Sequence, residues 1–407
     1  MIPRPIYNAI WRELSAEKAM IFMAGPRQAG KTTLARSIAE RFPNRIYFNW
    51  DVVSHRKRLA EDPYFFEDVD RVDDTRPLVI FDEIHKHRDW KNYLKGVYDG
   101  FHEEFLFLVA GSGRLDTYRK GGDSLAGRYA YFRMWPLTLA ELVGRNEPSL
   151  NAFWDHPLAV KADPDGEAGK AWQRLDRFTG FPEPFERAKV PSYRRWSAVY
   201  VSQLIREDIR DLTAIRSIDD VETLFSLLPE RVGSPLSFQS LARDLKVSYN
   251  TVRSWVEALE RFFLVFTLTP WTGKVARGVG KARKTYLFDY GRIPDRGSRF
   301  ENRVALDLFR AVNTWNDLGL GRYGLHFVRT KDQEEVDFLI VEDRKPRLLV
   351  EAKAGEPSVS RELKKIQTML DVPAVQILDR GETYKKRKNV GQTVLVVPAP
   401  LWLPRLP

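Results

Sequence analysis

Unbroken apolar runs alternate with amphipathic stretches through the first third of the chain. Ala19-Met20-Ile21-Phe22-Met23-Ala24, Leu78-Val79-Ile80-Phe81 and Phe105-Leu106-Phe107-Leu108-Val109-Ala110 carry no polar residue. Such runs predict strands buried on both faces, as in a parallel sheet. Arg45 to Trp50 and Tyr129 to Met134 predict two more strands. Between them, Leu34 and Ile38 share one face of a helix predicted over Thr33 to Phe42. Trp90, Tyr93, Leu94, Val97, Tyr98 and Phe101 form a second apolar stripe at helical spacing, which reads as core rather than as a cofactor contact. Residues 1–140 therefore predict an α/β, doubly wound parallel sheet.

The later pattern is different. Breaker-rich stretches at 144–170, 179–184 and 269–273 divide the rest of the chain. Four segments result: 1–143, a linker and helical lid over 144–215, 216–272, and 273–407. Within the third, Leu241, Ala242 and Leu245 predict a short helix, and Val252, Val256 and Leu259 a second one with Ser248 as its N-cap. This is helix-turn-helix patterning, and Phe262 to Leu268 adds the strand of a wing. In a DNA-reading version Tyr249, Asn250 and Arg253 face the groove. Residues 216–272 hold 6 basic and 7 acidic residues, so a structural joint or protein contact fits equally well. In the fourth segment, a helix over Ser298 to Asn313 precedes strands near Leu325–Arg329, Glu335–Val341 and Arg347–Lys353. A helix over Ser358 to Leu370 follows.

Charge changes the picture of the C-terminal third. The net charge of +10 is concentrated in residues 273–407, with 26 Lys and Arg against 17 Asp and Glu. A polyanion such as DNA is drawn to that region, although Lys385-Lys386-Arg387-Lys388 also reads as a solvated basic face. At 407 residues, with 43% hydrophobic composition, the chain predicts several domains with cores of their own. Zero cysteines exclude disulfides and thiolate metal sites. No run approaches the roughly twenty apolar residues that span a bilayer. The start, Met1-Ile2-Pro3-Arg4-Pro5-Ile6, lacks a signal core. A cytoplasmic location away from membranes is expected.

The chemistry is most specific at Gly25-Pro26-Arg27-Gln28-Ala29-Gly30-Lys31-Thr32, which fits G-x-x-x-x-G-K-[ST] without a mismatch and opens the helix at Thr33. Glycines let backbone N–H groups turn toward a polyphosphate. Lys31 supplies charge to the outer phosphates of ATP, and Thr32 is a ligand for Mg²⁺. About fifty residues on, Asp82 and Glu83 end an apolar strand, a spacing that assigns Asp82 to the Mg²⁺ shell and Glu83 to polarising the attacking water. Ser112, after the next strand, is the candidate sensor of the γ-phosphate. In the last segment, alternation places Glu351 and Lys353 on one strand face. Asp337 lies on the neighbouring strand and Glu301 near the start of the preceding helix. Three carboxylates make an oxygen site suited to Mg²⁺, with Lys353 positioning a water for phosphodiester cleavage.

In this order, the phosphate loop, Asp82-Glu83-Ile84, Gly111-Ser112, Ser124-Leu125-Ala126-Gly127-Arg128, Gly180-Phe181-Pro182-Glu183, Glu335-Val336-Asp337 and Glu351-Ala352-Lys353 resemble a prokaryotic family. It joins an AAA+ ATPase domain to a C-terminal region known as DUF4143. The resemblance implies a P-loop AAA+ core, a winged-helix joint and a domain similar to PD-(D/E)XK restriction-type nucleases. It also implies a homo-oligomeric ring or arc, hexameric by preference, in which an arginine reaches the next subunit's ATP. Arg128 is the candidate, with Arg114 second. His85 stands where the family commonly has Gln, and Gly113 interrupts the usual serine run. Three functions follow as expectations: a DNA-processing motor, a nucleotide-controlled regulatory switch acting through protein partners, and an ATP-gated endonuclease.

Overall fold

The computed structural model describes residues 2–113, 115, 125–143, 152–163, 165–210, 215, 217–272, 282–355, 358–381 and 383–407. Arg114 and Ser124 lie outside the described residues. The chain divides into two compact units, Met1–Pro136 and Leu137–Pro407.

In the first unit the predicted strands form one parallel sheet. They are β1 (Met20–Ala24), β2 (Arg45–Asn49), β3 (Leu78–Asp82), β4 (Leu106–Ala110) and β5 (Tyr129–Arg133), in the order β2-β3-β4-β1-β5. Burial of every residue of β1 and β3 explains the unbroken apolar runs Met20–Ala24 and 78–81. Helix α1 (Pro5–Glu17) precedes β1, α2 (Lys31–Ala39) follows it, and α3 (Val53–Glu61) and α4 (Trp90–Phe101) follow β2 and β3. Trp90, Leu94 and Val97 of α4 are buried as their spacing predicts. The α/β, doubly wound expectation holds. The strand order adds what periodicity cannot: β4 inserts between β1 and β3, so the phosphate-loop strand and the Asp82 strand are not neighbours.

The second unit carries a nine-stranded sheet. Its helices include α5 (Leu139–Leu142), α6 (Glu167–Phe178), α7 (Pro182–Arg187), α8 (Val190–Gln203), α9 (Ile218–Leu227), α10 (Phe238–Asp244), α11 (Tyr249–Arg261), α12 (Arg296–Asp317) and α13 (Arg361–Leu370). Its strands are β6 (Pro235–Leu236), β7 (Val265–Pro270), β8 (Arg283–Leu287), β9 (Tyr323–Arg329), β10 (Glu335–Glu342), β11 (Lys345–Lys353), β12 (Ala374–Leu378), β13 (Lys385–Asn389) and β14 (Gln392–Pro398). They run in the order β13-β14-β12-β11-β10-β9-β7-β8-β6.

Ser248 caps α11 as its position predicts, its hydroxyl accepting from Thr251 N at 3.1 Å. The helix-turn-helix segment and the C-terminal segment, expected to meet at 272/273, share this one sheet. β7 of the first pairs with β9 of the second over Thr269/His326 and Pro270/Phe327. A flat sheet would separate β8 from β10 by about 14 Å, yet side chains of the two strands meet (below), so the sheet curls about that short seam. The basic run of β13 forms the exposed edge. No described helix is long and apolar enough to cross a membrane.

Candidate nucleotide site and the carboxylate cluster

The phosphate loop leaves the buried end of β1. Gly25 has φ +144°, and a side chain there would collide with the Met134 carbonyl, so only glycine serves. Gln28 (φ 58°) and Gly30 (φ 100°) also adopt left-handed backbone, turning the chain from strand into α2, which begins at Lys31. Pro26, Arg27, Ala29 and Thr33 complete the segment. Arg4, buried ahead of α1, fastens the loop from below: its guanidinium donates to the Ala29 carbonyl at 3.1 Å and to the Trp135 carbonyl at 2.7 Å. The Lys31 ammonium donates to the carbonyls of Gly25 (3.0 Å) and Pro26 (2.6 Å), folded back over its own loop.

Asp82, at the end of β3, accepts at one carboxylate oxygen from the Thr32 hydroxyl and from the Tyr47 hydroxyl, each at 2.7 Å. Burial pushes its carboxyl above the ordinary aspartate value, opposed by those two hydrogen bonds. Thr32 and Asp82 fit Mg²⁺ as hard oxygen donors already side by side. Glu83 sits in the left-handed region (φ 58°), its N–H donating to the Ala110 carbonyl of β4 at 2.9 Å. Its carboxylate lies 3.3 Å from the Lys86 ammonium and 3.6 Å from His85 Nε2, and Lys86 also holds Asp51 at 2.7 Å. The His85 ring is buried against Gly111, where a Cβ would strike it. Ser112, also buried, follows β4, between the loop strand and the Asp82 strand.

Arg128 is elsewhere. The register Met20/Tyr129 to Ala24/Arg133 puts it at the far end of β1 from Gly25, about 20 Å away by strand rise. It grips Asp99 through two nitrogens, at 2.6 and 3.1 Å. It cannot serve its own subunit's loop.

The C-terminal residues gather around an unforeseen lysine. Asn302 of α12 clamps the Leu287 backbone of β8, accepting from its N–H (2.7 Å) and donating to its carbonyl (2.8 Å). This clamp sets Glu301 beside β8, where Tyr286 donates to it at 2.8 Å. The Lys284 ammonium lies 2.6 Å from Glu335, 3.3 Å from Glu301 and 3.8 Å from Asp337. Asp337 also accepts from the Ala352 N–H at 2.9 Å. Glu351 turns to Ser360, the cap of α13, at 2.6 Å and to Lys353 at 3.0 Å.

Glu301, Asp337 and Glu335 come together around Lys284; Glu351 pairs with Lys353, and burial, with Asp337 also contributing, raises the Glu351 carboxyl above its ordinary value. Among the described residues no group of three or more His, Cys, Asp or Glu side chains is disposed to hold a metal ion. Tyr249, Asn250 and Arg253 are exposed, and Arg253 pairs with Glu257 at 2.9 Å.

Three family models match along the chain. Residues 17–143 match the family model of an AAA domain, AAA_14. Residues 171–293 match DUF8612 and residues 296–402 match DUF4143, both domains of unknown function. Uncharacterised proteins of Mycobacterium bovis and Mycobacterium tuberculosis are 25% identical over 93% of this chain and 80% of theirs. One of Methanocaldococcus jannaschii is 23% identical over 92% of this chain and 83% of its own. A Walker-type ATPase of Pyrococcus abyssi aligns over 65% of this chain and 91% of its own, at 16% identity and TM-score 0.40. Drosophila ORC bound to DNA aligns over 68% and 90%, at 12% identity and TM-score 0.26. The chain thus joins an AAA-type ATPase domain to a DUF4143 domain, as its motifs resemble.

Proposed function

We propose that this chain, an AAA-type ATPase domain followed by DUF4143, is a Mg²⁺-dependent ATPase that drives a DNA-processing motor. The observation that carries the ATPase reading is the Thr32–Asp82–Tyr47 oxygen cluster beside the phosphate loop, with Glu83 next in the chain after Asp82. Lys31 exchanges loop carbonyls for the outer phosphates of ATP, and loop N–H groups hold the remaining phosphate oxygens. Thr32 and Asp82 hold Mg²⁺, which neutralises charge on the transferred phosphate when bound. Glu83 polarises the water, and the His85 and Lys86 contacts fix its carboxylate between turnovers. Ser112 senses the γ-phosphate from the central strand. Arg128 acts across a subunit boundary in a ring or arc, preferably a hexamer, because its own loop is out of reach.

DNA as the substrate is supported by charge. The nine-charge surplus of residues 273–407 includes the exposed edge strand β13. A cleft of about 850 Å³ in the same unit is lined by Lys170, Arg177, Arg296, Arg303 and Arg380 against three aspartates. The regulatory-switch reading draws on a separate observation, the balanced charge of residues 216–272. ATPase measured with linear, single-stranded and four-way-junction DNA, beside a Lys31→Ala control, separates the two. Stimulation that fades steeply with salt supports the motor; turnover indifferent to every DNA form overturns it.

A further inference from the structure

A buried ammonium surrounded by three carboxylates is an unusual thing to find where a divalent cation was expected. The Lys284 side chain is 1% exposed and within 3.8 Å of Glu301, Glu335 and Asp337. Its charge is anchored from both sides. Lys284 and Tyr286 alternate along β8 onto one face, and the Lys284 ammonium lies 5.5 Å from the Phe327 ring centroid on β9. Glu335 and Asp337 alternate onto one face of β10 in the same way.

The carboxylate oxygens are committed elsewhere as well. Glu301 accepts from Tyr286, Asp337 from the Ala352 N–H, and Glu351 from Ser360. A metal here needs several oxygens at roughly 2.0–2.6 Å about one point, and Lys284 Nζ occupies the point on which Glu301, Glu335 and Asp337 converge.

We infer that Lys284 is the resident cation of this cluster, standing where a divalent metal would sit among Glu301, Glu335 and Asp337. The ammonium gives the three carboxylates a counter-charge that no chelator removes, and it staples the β8 hairpin to α12 and β10. Burial pulls the Lys284 pKa down, but Glu301, Asp337 and Glu335 together outweigh it, so the group stays above the ordinary lysine value and charged.

Manganese titration of the nucleotide-free full-length chain, read by electron paramagnetic resonance, tests the inference. Wild type and Asp337→Asn are expected to bind Mn²⁺ identically. Lys284→Ala is expected to gain one further ion, bound at least about tenfold more tightly than anything at that site in wild type, and to lose it again when Asp337→Asn is added. Any Mn²⁺ in wild type that disappears with Asp337→Asn overturns the proposal, as does a folded Lys284→Ala chain that gains none. Should Lys284→Ala fail to fold, the comparison of wild type with Asp337→Asn decides alone. The phosphate loop is common to all these variants, so a failure of the ATPase reading leaves the differences between them unchanged.

Discussion

Replacing Glu301 by Gln tests the electrostatics of the C-terminal unit through its stability. Burial, with Asp337 as the next cause, lifts the Glu301 carboxyl from its ordinary 4.5 to about 7, against the pull of Lys284 and Tyr286. The folded chain therefore holds a proton that the unfolded chain releases between those values. Stability falls as pH rises through that window, because the unfolded state binds fewer protons there. The rise of 7 − 4.5, or about 2.5, corresponds to a loss of about 3 kcal/mol. Glutamine mimics the protonated side chain and can still accept from Tyr286. It should leave stability nearly unchanged near pH 4.5 and raise it by up to about 3 kcal/mol at pH 8 relative to wild type. Lys284 adds no slope of its own here, since its pKa is raised and the group is charged throughout the range. Urea unfolding followed by tryptophan fluorescence from pH 4.5 to 8 reads the difference. With a slope of about 3 kcal/mol per molar, the expected change is about 1 M in midpoint. Parallel profiles for the two proteins, separated by a constant amount, would refute the reasoning.

Three other substitutions probe the nucleotide unit. Tyr47→Phe removes one of the two hydrogen bonds on Asp82, a bond to a charged group worth about 1.5–3 kcal/mol. It should weaken Mg²⁺ dependence of turnover by about tenfold or more, seen as a shifted Mg²⁺ titration with the fold intact by circular dichroism. Arg4→Met leaves the Ala29 and Trp135 carbonyls short of a donor; a higher KM for ATP and about 1–3 kcal/mol lower stability are expected, measured by steady-state kinetics and thermal melting. Arg128→Ala should leave ATP affinity unchanged while lowering turnover. Mixing it with Lys31→Ala subunits should restore part of the activity, since each lacks a different half of a shared site; no restoration at any ratio contradicts the action across subunits.

Much of the nucleotide unit was legible because its chemistry is local in sequence. Eight consecutive residues from Gly25 to Thr32 specify the loop, and the apolar run before Asp82 specifies a buried strand with an acid at its end. Tyr47 was not legible. It lies on a separate strand, and only the β2-β3 pairing brings its hydroxyl to Asp82. Arg4 was hidden for the same reason, as a lone cation ahead of a helix whose partner carbonyls lie 25 and 131 residues away.

The C-terminal cluster was half legible. Alternation correctly put Glu351 and Lys353 on one face, and the same rule applied to Arg283-Lys284-Thr285-Tyr286 would have paired Lys284 with Tyr286. What alternation cannot show is a sheet that curls at Thr269–Pro270 and carries β8 across to β10. That curl, set by tertiary pairing rather than local pattern, brings Lys284 among Glu301, Glu335 and Asp337.

The most direct test of the account is ATP binding and hydrolysis by the full-length chain beside Glu83→Gln and Lys31→Ala. Titration calorimetry and single-turnover kinetics with Mg²⁺ should find wild type binding and hydrolysing ATP, and Glu83→Gln binding it as tightly but turning over at least about a hundredfold more slowly. Lys31→Ala should bind it poorly. Equal turnover in wild type and Glu83→Gln, or ATP affinity indifferent to Lys31, would contradict the claim that this loop and this glutamate are the engine of the molecule.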